Sequence, residues 1–74
     1  MNVDSLVTMV NQIGAFFDTM PDQQQALKDI AGHLKPFWEP RMRRSLLAYI
    51  DEHGGVELKV IVLDAVHIYR GLIL

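Results

Sequence analysis

The sequence predicts an all-α fold, a small single-domain bundle of about four short helices spanning residues 1–74. Three observations predict it. Apolar residues recur at alternating steps of three and four along most of the chain, where a half-buried strand would place them at every second position. Proline and glycine punctuate the sequence at Pro21, at Pro36 to Pro40 and at Gly54-Gly55, cutting it into four segments of helical length. Finally, half of the 74 residues are hydrophobic and none is cysteine, so stability has to come from apolar packing, within the chain or against a partner. A domain this small buries only about 60% of the surface its unfolded chain exposes, so its core is thin.

In the first segment Val3, Leu6, Val10, Ile13, Phe17 and Met20 form a core-facing stripe, and Ser5, Thr8, Asn11, Ala15 and Thr19 occupy the far side. Asp22 is placed to cap a second helix, with Gln25 three positions on as in a capping box, and Leu27, Ile30, Ala31 and Leu34 define its buried face. Pro36 disfavours a helical Lys35 and lacks a backbone donor, which predicts an end there and a corner at Phe37-Trp38-Glu39. Pro40 suits the first turn of a third helix with Met42, Leu46, Tyr49 and Ile50 on one side. Gly54 is positioned to end that helix in a left-handed conformation.

Val56 to Val60 alternates as a strand does, but the alternation fails at Ile61 and a helical projection fits better. It puts Leu58, Ile61, Val62, Ala65, Val66, Ile68, Tyr69, Leu72 and Ile73 on one half, and Glu57, Lys59, Asp64, His67 and Arg70 on the other. Val60, Leu63 and Leu74 stray from this division. Half a circumference of Leu, Ile and Val is wider than a small bundle needs to cover its core, so the last helix has apolar surface to spare.

The formal net charge is −2, with basic and acidic residues well mixed, which speaks against a polyanion binder, a membrane-surface protein or a disordered acidic tail. The longest apolar run, Val60 to Leu63, falls far short of the roughly 20 residues that span a bilayer, and the first residues do not read as a secretory signal. The expectation is a soluble, cytoplasmic protein. Catalytic signatures are missing: there is no Gly-rich phosphate loop, cysteine nucleophile, Gly-x-Ser-x-Gly elbow or His-Glu-x-x-His pair. His33, His53 and His67 share no helical face at the one-turn spacing of metal ligands; His33 and His53 read as helix-end residues and His67 as solvated beside Asp64. No catalytic, cofactor-binding or metal-ligating residue is therefore assigned, and the chain is not expected to be an enzyme by itself.

The densest unusual feature is Phe37-Trp38-Glu39-Pro40-Arg41-Met42-Arg43-Arg44, where two aromatics and a proline meet three arginines. Positive charge in the first turn of a helix opposes the dipole by roughly 0.3 to 1 kcal/mol per residue if unscreened, so something has to compensate. One reading pairs the arginines locally with Glu39, Asp22, Asp29 or Glu52 while Phe37 and Trp38 plug the core. The other makes the segment a docking surface, since Trp and Arg are the types most enriched at interface hot spots. Similarly, Gly14 within Asn11-Gln12-Ile13-Gly14-Ala15-Phe16-Phe17 lets another helix approach closely, inside the fold or from outside it. The candidate partner-binding residues are Phe37, Trp38, Glu39, Pro40, Arg41, Arg43 and Arg44, with Asn11 and Gln12. Two other classes stay open. One is a helix-turn-helix nucleic-acid module with Arg41, Arg43 and Arg44 at the reading end, against which the net charge argues. The other is a helical domain that pairs with its own copy.

These segments resemble a known family, the delta subunits of cytoplasmic, molybdenum- or tungsten-containing, NAD-dependent formate dehydrogenases. The resemblance is carried by Met9-Val10-Asn11-Gln12-Ile13-Gly14 with Phe16-Phe17, by Met20-Pro21-Asp22, and by Ile30-Ala31-x-His33-Leu34 running into Phe37 to Arg44 with Leu46-Leu47. Gly54-Gly55, Leu58 and Val62-x-x-Ala65 follow the family more loosely. The likeness covers roughly residues 6 to 66 and lapses in the last helix, where Glu57-Leu58-Lys59-Val60 stands in place of a polar or proline-bearing start and Ile68-Tyr69-Arg70-Gly71-Leu72-Ile73-Leu74 in place of a charged finish. It implies a non-catalytic subunit of a complex that oxidises formate to carbon dioxide and reduces NAD. In that complex the large subunit carries the bis-pterin molybdenum or tungsten centre, and iron-sulfur clusters and FMN lie in the large and companion subunits. The delta chain holds none of these, and its implied role is to bind the catalytic subunit and support assembly, cofactor insertion or stability. The implied partners are thus the catalytic and other subunits, with neither nucleic acid nor membrane.

Overall fold

A computed structural model of the chain describes residues 2–74 as four helices: α1 (Val3–Phe17), α2 (Gln23–Phe37), α3 (Pro40–His53) and α4 (Val60–Ile73). Helix α1 opens on Asn2, whose side-chain oxygen accepts the Asp4 N–H at 2.7 Å. It closes at Phe17, and Asp18 N–H donates to the Gly14 carbonyl at 2.8 Å. The expected stripe ran on to Met20, yet Met20 lies past the helix end, because the residue before Pro21 is sterically driven out of helical geometry. It remains half-buried against the core.

Asp22 caps α2 by accepting the Gln25 N–H at 3.1 Å, but only half of the capping box forms. The Gln25 amide instead donates to Asp29 Oδ1 at 2.8 Å, one turn on. Ala26, Ile30, Ala31 and Leu34 are buried. The helix then passes through Pro36 and ends at Phe37, two residues beyond Lys35, where the sequence predicted its end. So near a terminus, proline forfeits just one backbone bond, and Trp38 N–H still closes on the Leu34 carbonyl at 3.0 Å. This last turn turns Trp38 into the core, 5% exposed, and leaves Phe37 in solvent at 73%.

Pro40 occupies the first turn of α3, and Gly54 closes it with φ 78° and an N–H bond to the Ile50 carbonyl at 2.8 Å. The helix is rotated from the expected stripe: Arg43, Leu46 and Leu47 are buried, while Met42, Tyr49 and Ile50 are half-buried. Gly55 follows with φ 67°, and a Cβ there would stand 2.9 Å from Leu63 Cδ2 and 3.1 Å from Leu58 Cδ1. Only glycine satisfies both the dihedral and the space.

Residues 54–58 form a turn, with Leu58 N–H bonded to the Gly55 carbonyl at 2.9 Å, so residues 56–59 of the alternating stretch are neither strand nor helix. Asn11 holds this turn from α1. Its amide donates to the Glu57 carbonyl at 3.0 Å and its oxygen accepts the Lys59 N–H at 2.9 Å. Helix α4 therefore starts at Val60. Ile61, Val62, Ala65, Val66 and Ile73 are buried as the projection requires, but Ile68 and Leu72 face solvent. The backbone leaves helical values at Tyr69 (φ −109°, ψ 25°), which re-aims the last turn and lets Ile73 enter the core.

Helices α2 and α4 form the closest pair, and α1 packs on all three others. Helix α1 comes close to α4 at Gly14, where an added Cβ would lie 2.6 Å from Val62 Cγ2. The neighbour that Gly14 admits is thus a helix of the same chain. Helices α3 and α4 are joined by a two-pronged ion pair, Arg70 to Asp51 at 3.0 and 2.7 Å, on side chains 41% and 54% exposed, where such pairs contribute about 1 kcal/mol or less.

Candidate functional site

The two segments singled out in the sequence meet across one groove. Its first wall is α1, through Met9, Gln12, Ile13, Phe16 and Phe17; the second is the end of α2 and start of α3, through His33, Phe37, Trp38 and Met42. Its volume is about 520 Å³. On α1 the lining residues stand at steps of three and four, one strip round from the buried Leu6, Val10 and Gly14, so a single helix serves core and groove on adjacent faces. His33 and Phe37 are one turn apart on α2 and stack, their ring centroids 4.8 Å apart and their planes inclined by 28°.

Phe17 links the walls edge-on to His33 at 6.3 Å, and Phe16 meets Phe17 edge-on at 5.1 Å. These four rings form a continuous aromatic track with favourable geometry at each step. Phe16 is 69% exposed and Phe37 73%, an unusual amount of ring surface to leave in water on so small a chain.

The residues proposed from the sequence divide into three groups. Phe37, Trp38 and Gln12 line the groove, and Met42 beside Arg41 brings the start of α3 to its edge. Glu39, Pro40, Arg41 and Arg44 are exposed, and Glu39 makes no side-chain cap on α3. Neither Arg41 nor Arg44 has an ion-pair partner among the described residues, so the local pairing with Glu39, Asp22, Asp29 or Glu52 does not form.

Arg43 and Asn11 are spent inside the fold. Arg43 is 7% exposed, and its Nη1 donates to the Ile73 carbonyl at 2.6 Å and to that of Leu74 at 3.4 Å, leaving Nε without a partner. It puts a cation at the C-terminal end of α4, where the helix dipole favours one. This placement also removes Arg43 from the reading end of a helix-turn-helix. Asn11 has both ends of its amide committed to the turn before α4.

Met9, Ile13, Phe16, Phe17, His33 and Met42 were not among the residues proposed as a site. The signal for them was present: the Phe16-Phe17 pair cannot turn both rings into one core, and His33 and Phe37 stand at i and i+4.

Electrostatic perturbation lies elsewhere. The Tyr49 hydroxyl donates to the Glu57 carboxylate, which holds the phenol above its ordinary value of 10, burial adding to the same direction. No group of three or more His, Cys, Asp or Glu able to hold a metal ion occurs among the described residues. His53 lies beside Glu52 at 3.8 Å, and His67 is exposed. The groove offers ring faces, two thioethers and one imidazole; what such a lining does is bury apolar side chains. No helix among the described residues is long and apolar enough to cross a membrane.

The family model of the NADH-dependent formate dehydrogenase delta subunit, FdsD, matches residues 5–66. That span contains both groove walls and stops in α4 just before the break at Tyr69, where the resemblance also lapsed in the sequence. No curated protein and no solved structure matches the chain. The match covers most of the 74 residues, and the chain belongs to the family of NADH-dependent formate dehydrogenase delta subunits.

Proposed function

We propose that this chain acts in the cytoplasm as a non-catalytic subunit that docks on the molybdenum- or tungsten-containing catalytic subunit of formate dehydrogenase. There it supports assembly, cofactor insertion or stability of the complex. The bis-pterin metal centre, the iron-sulfur clusters, FMN and the NAD site belong to its partners. One observation carries the reading: both family-like segments contribute side chains to one exposed aromatic groove, Gln12, Phe16 and Phe17 from the first and Phe37 and Met42 from the second. A monomer gains nothing by keeping Phe16 and Phe37 in water, whereas an interface gains from each ring it covers.

Recovery of the tagged full-length chain from its own cells tests this. The expected result is co-recovery of the catalytic subunit, lost in a Phe16→Asp/Phe37→Asp variant whose helical content is unchanged, and lower formate oxidation when the chain is deleted. Recovery of no formate dehydrogenase subunit, with formate oxidation unaffected by deletion, would overturn it.

A further inference from the structure

We infer that the outer face of α4 pairs with the same face of a second copy of this chain, the two helices running antiparallel so that Asp64 of each meets His67 of the other. The exposed large apolar side chains fall into two sets: Met9, Phe16 and Phe37 at the groove, and Val56, Val60, Ile68, Leu72 and Leu74 on or beside α4. The second set is left over once α4 has buried Ile61, Val62, Ala65, Val66 and Ile73. Opposite that buried side, Val60, Asp64 and His67 follow one another at steps of four and three, all exposed, with Leu63 on one flank and Ile68 on the other. None of the groove's lining residues belongs to α4, so this pairing is independent of the docking role proposed above and leaves the groove open.

Charge and size select a second copy as the occupant. In an antiparallel pair whose two-fold axis passes between the levels of Ala65 and Val66, Asp64 comes level with the copy's His67 and His67 with the copy's Asp64, so symmetry makes the contact twice. The imidazole can donate a ring N–H to the carboxylate whether neutral or protonated. The same register brings Val60 level with the copy's Gly71, around which a Cβ would meet nothing within 4 Å, so the branched side chain has room. Antiparallel helix dipoles attract. The other charged side chains of this stretch point away from the seam. The Lys59 stem lies against α1, its Cδ 3.7 Å from where a Gly14 Cβ would stand; Arg70 is paired with Asp51 on α3; and Glu57 keeps its charge but is turned to α3 by the Tyr49 hydroxyl. Glu52, at the end of α3, lies 3.8 Å from His53, so each acid that this end of α3 brings nearby has a basic or imidazole neighbour. One helix pair about three turns long buries less than the roughly 1,200 Å² of a stable interface, which sets the dissociation constant on the order of 100 µM.

Sedimentation equilibrium of the full-length chain, over concentrations spanning that value, tests the pairing. The apparent mass is expected to rise from one chain toward two. Asp64→Lys sets a cation against the copy's His67, and His67→Glu sets a carboxylate against the copy's Asp64; each should weaken association about tenfold or more, with circular dichroism showing the variant folded. An equimolar mixture of the two variants should restore the dimer, because each offers the charge the other lacks. Phe16→Asp/Phe37→Asp, which alters the groove alone, should leave the dimer intact. A monomer throughout the range, a dimer indifferent to both α4 variants, a mixture no heavier than its components, or a dimer that the groove variant dissolves would each overturn the inference. The docking role is judged separately, by co-recovery with formate dehydrogenase, and stands or falls whatever the sedimentation shows.

Discussion

Gly14 gives the sharpest quantitative test of the packing. A Cβ at this position would stand 2.6 Å from Val62 Cγ2 and 3.4 Å from Ile61 Cγ2. Val62 is fully buried and β-branched, so its methyl cannot swing away cheaply. Gly14→Ala therefore sets overpacking of about 1–3 kcal/mol against a helix-propensity gain of about 1 kcal/mol, a net loss of up to about 2 kcal/mol. Val62→Ala removes two buried methylene equivalents and leaves a small void, a loss of about 2–3 kcal/mol. In the double variant the new methyl occupies the space the valine vacated; strain vanishes while the propensity gain stays. The two losses should then fail to add, by about 2 kcal/mol in favour of the double variant. Urea unfolding of the four proteins, followed by Trp38 fluorescence, measures this coupling. Additivity within about 0.5 kcal/mol would refute the claim that these two positions touch.

Arg43→Ala should cost about 2–4 kcal/mol, because it strips the donor from the Ile73 carbonyl and empties a buried site, and amide exchange should quicken first in the last turn of α4. Asn11→Ala removes two hydrogen bonds to the turn before α4, for a loss of about 1–2 kcal/mol seen as faster exchange over residues 56–60. The raised Tyr49 value has a definite sign: the neutral phenol is favoured by folding, so its stabilisation is full below pH 10 and fades as pH climbs through the folded-state value. Ultraviolet titration in a Tyr69→Phe background, where Tyr49 is the one phenol, should place its transition above 10 in the folded protein and closer to 10 when Glu57→Gln is added.

Much of this fold is legible in sequence because its helices are punctuated by residues with strong backbone preferences. Pro21, Pro40 and Gly54 mark their boundaries to within a few residues, and the apolar periodicity identifies the buried faces of α1 and α2. The start of α4 was not legible, because Val56 to Val60 carries a strand-like pattern that the Gly54-Gly55 reversal and the hold of Asn11 override from outside the segment. Arg43 was hidden for a similar reason. A guanidinium in an exposed-looking run reads as surface, and only the tertiary fold brings it against the carbonyl of a residue 30 positions away. Each wall of the groove could be seen as an unusual motif, but no local pattern says that α1 lies against the α2–α3 corner.

Pro36 inside the last turn of α2 has a consequence for how this protein can change over generations. The chain leaves the helix there with consecutive aromatic residues on opposite sides: Trp38 is committed to the core, while Phe37 stays in solvent. The outer ring can therefore be replaced over generations while the inner one, and the stability it supports, is kept.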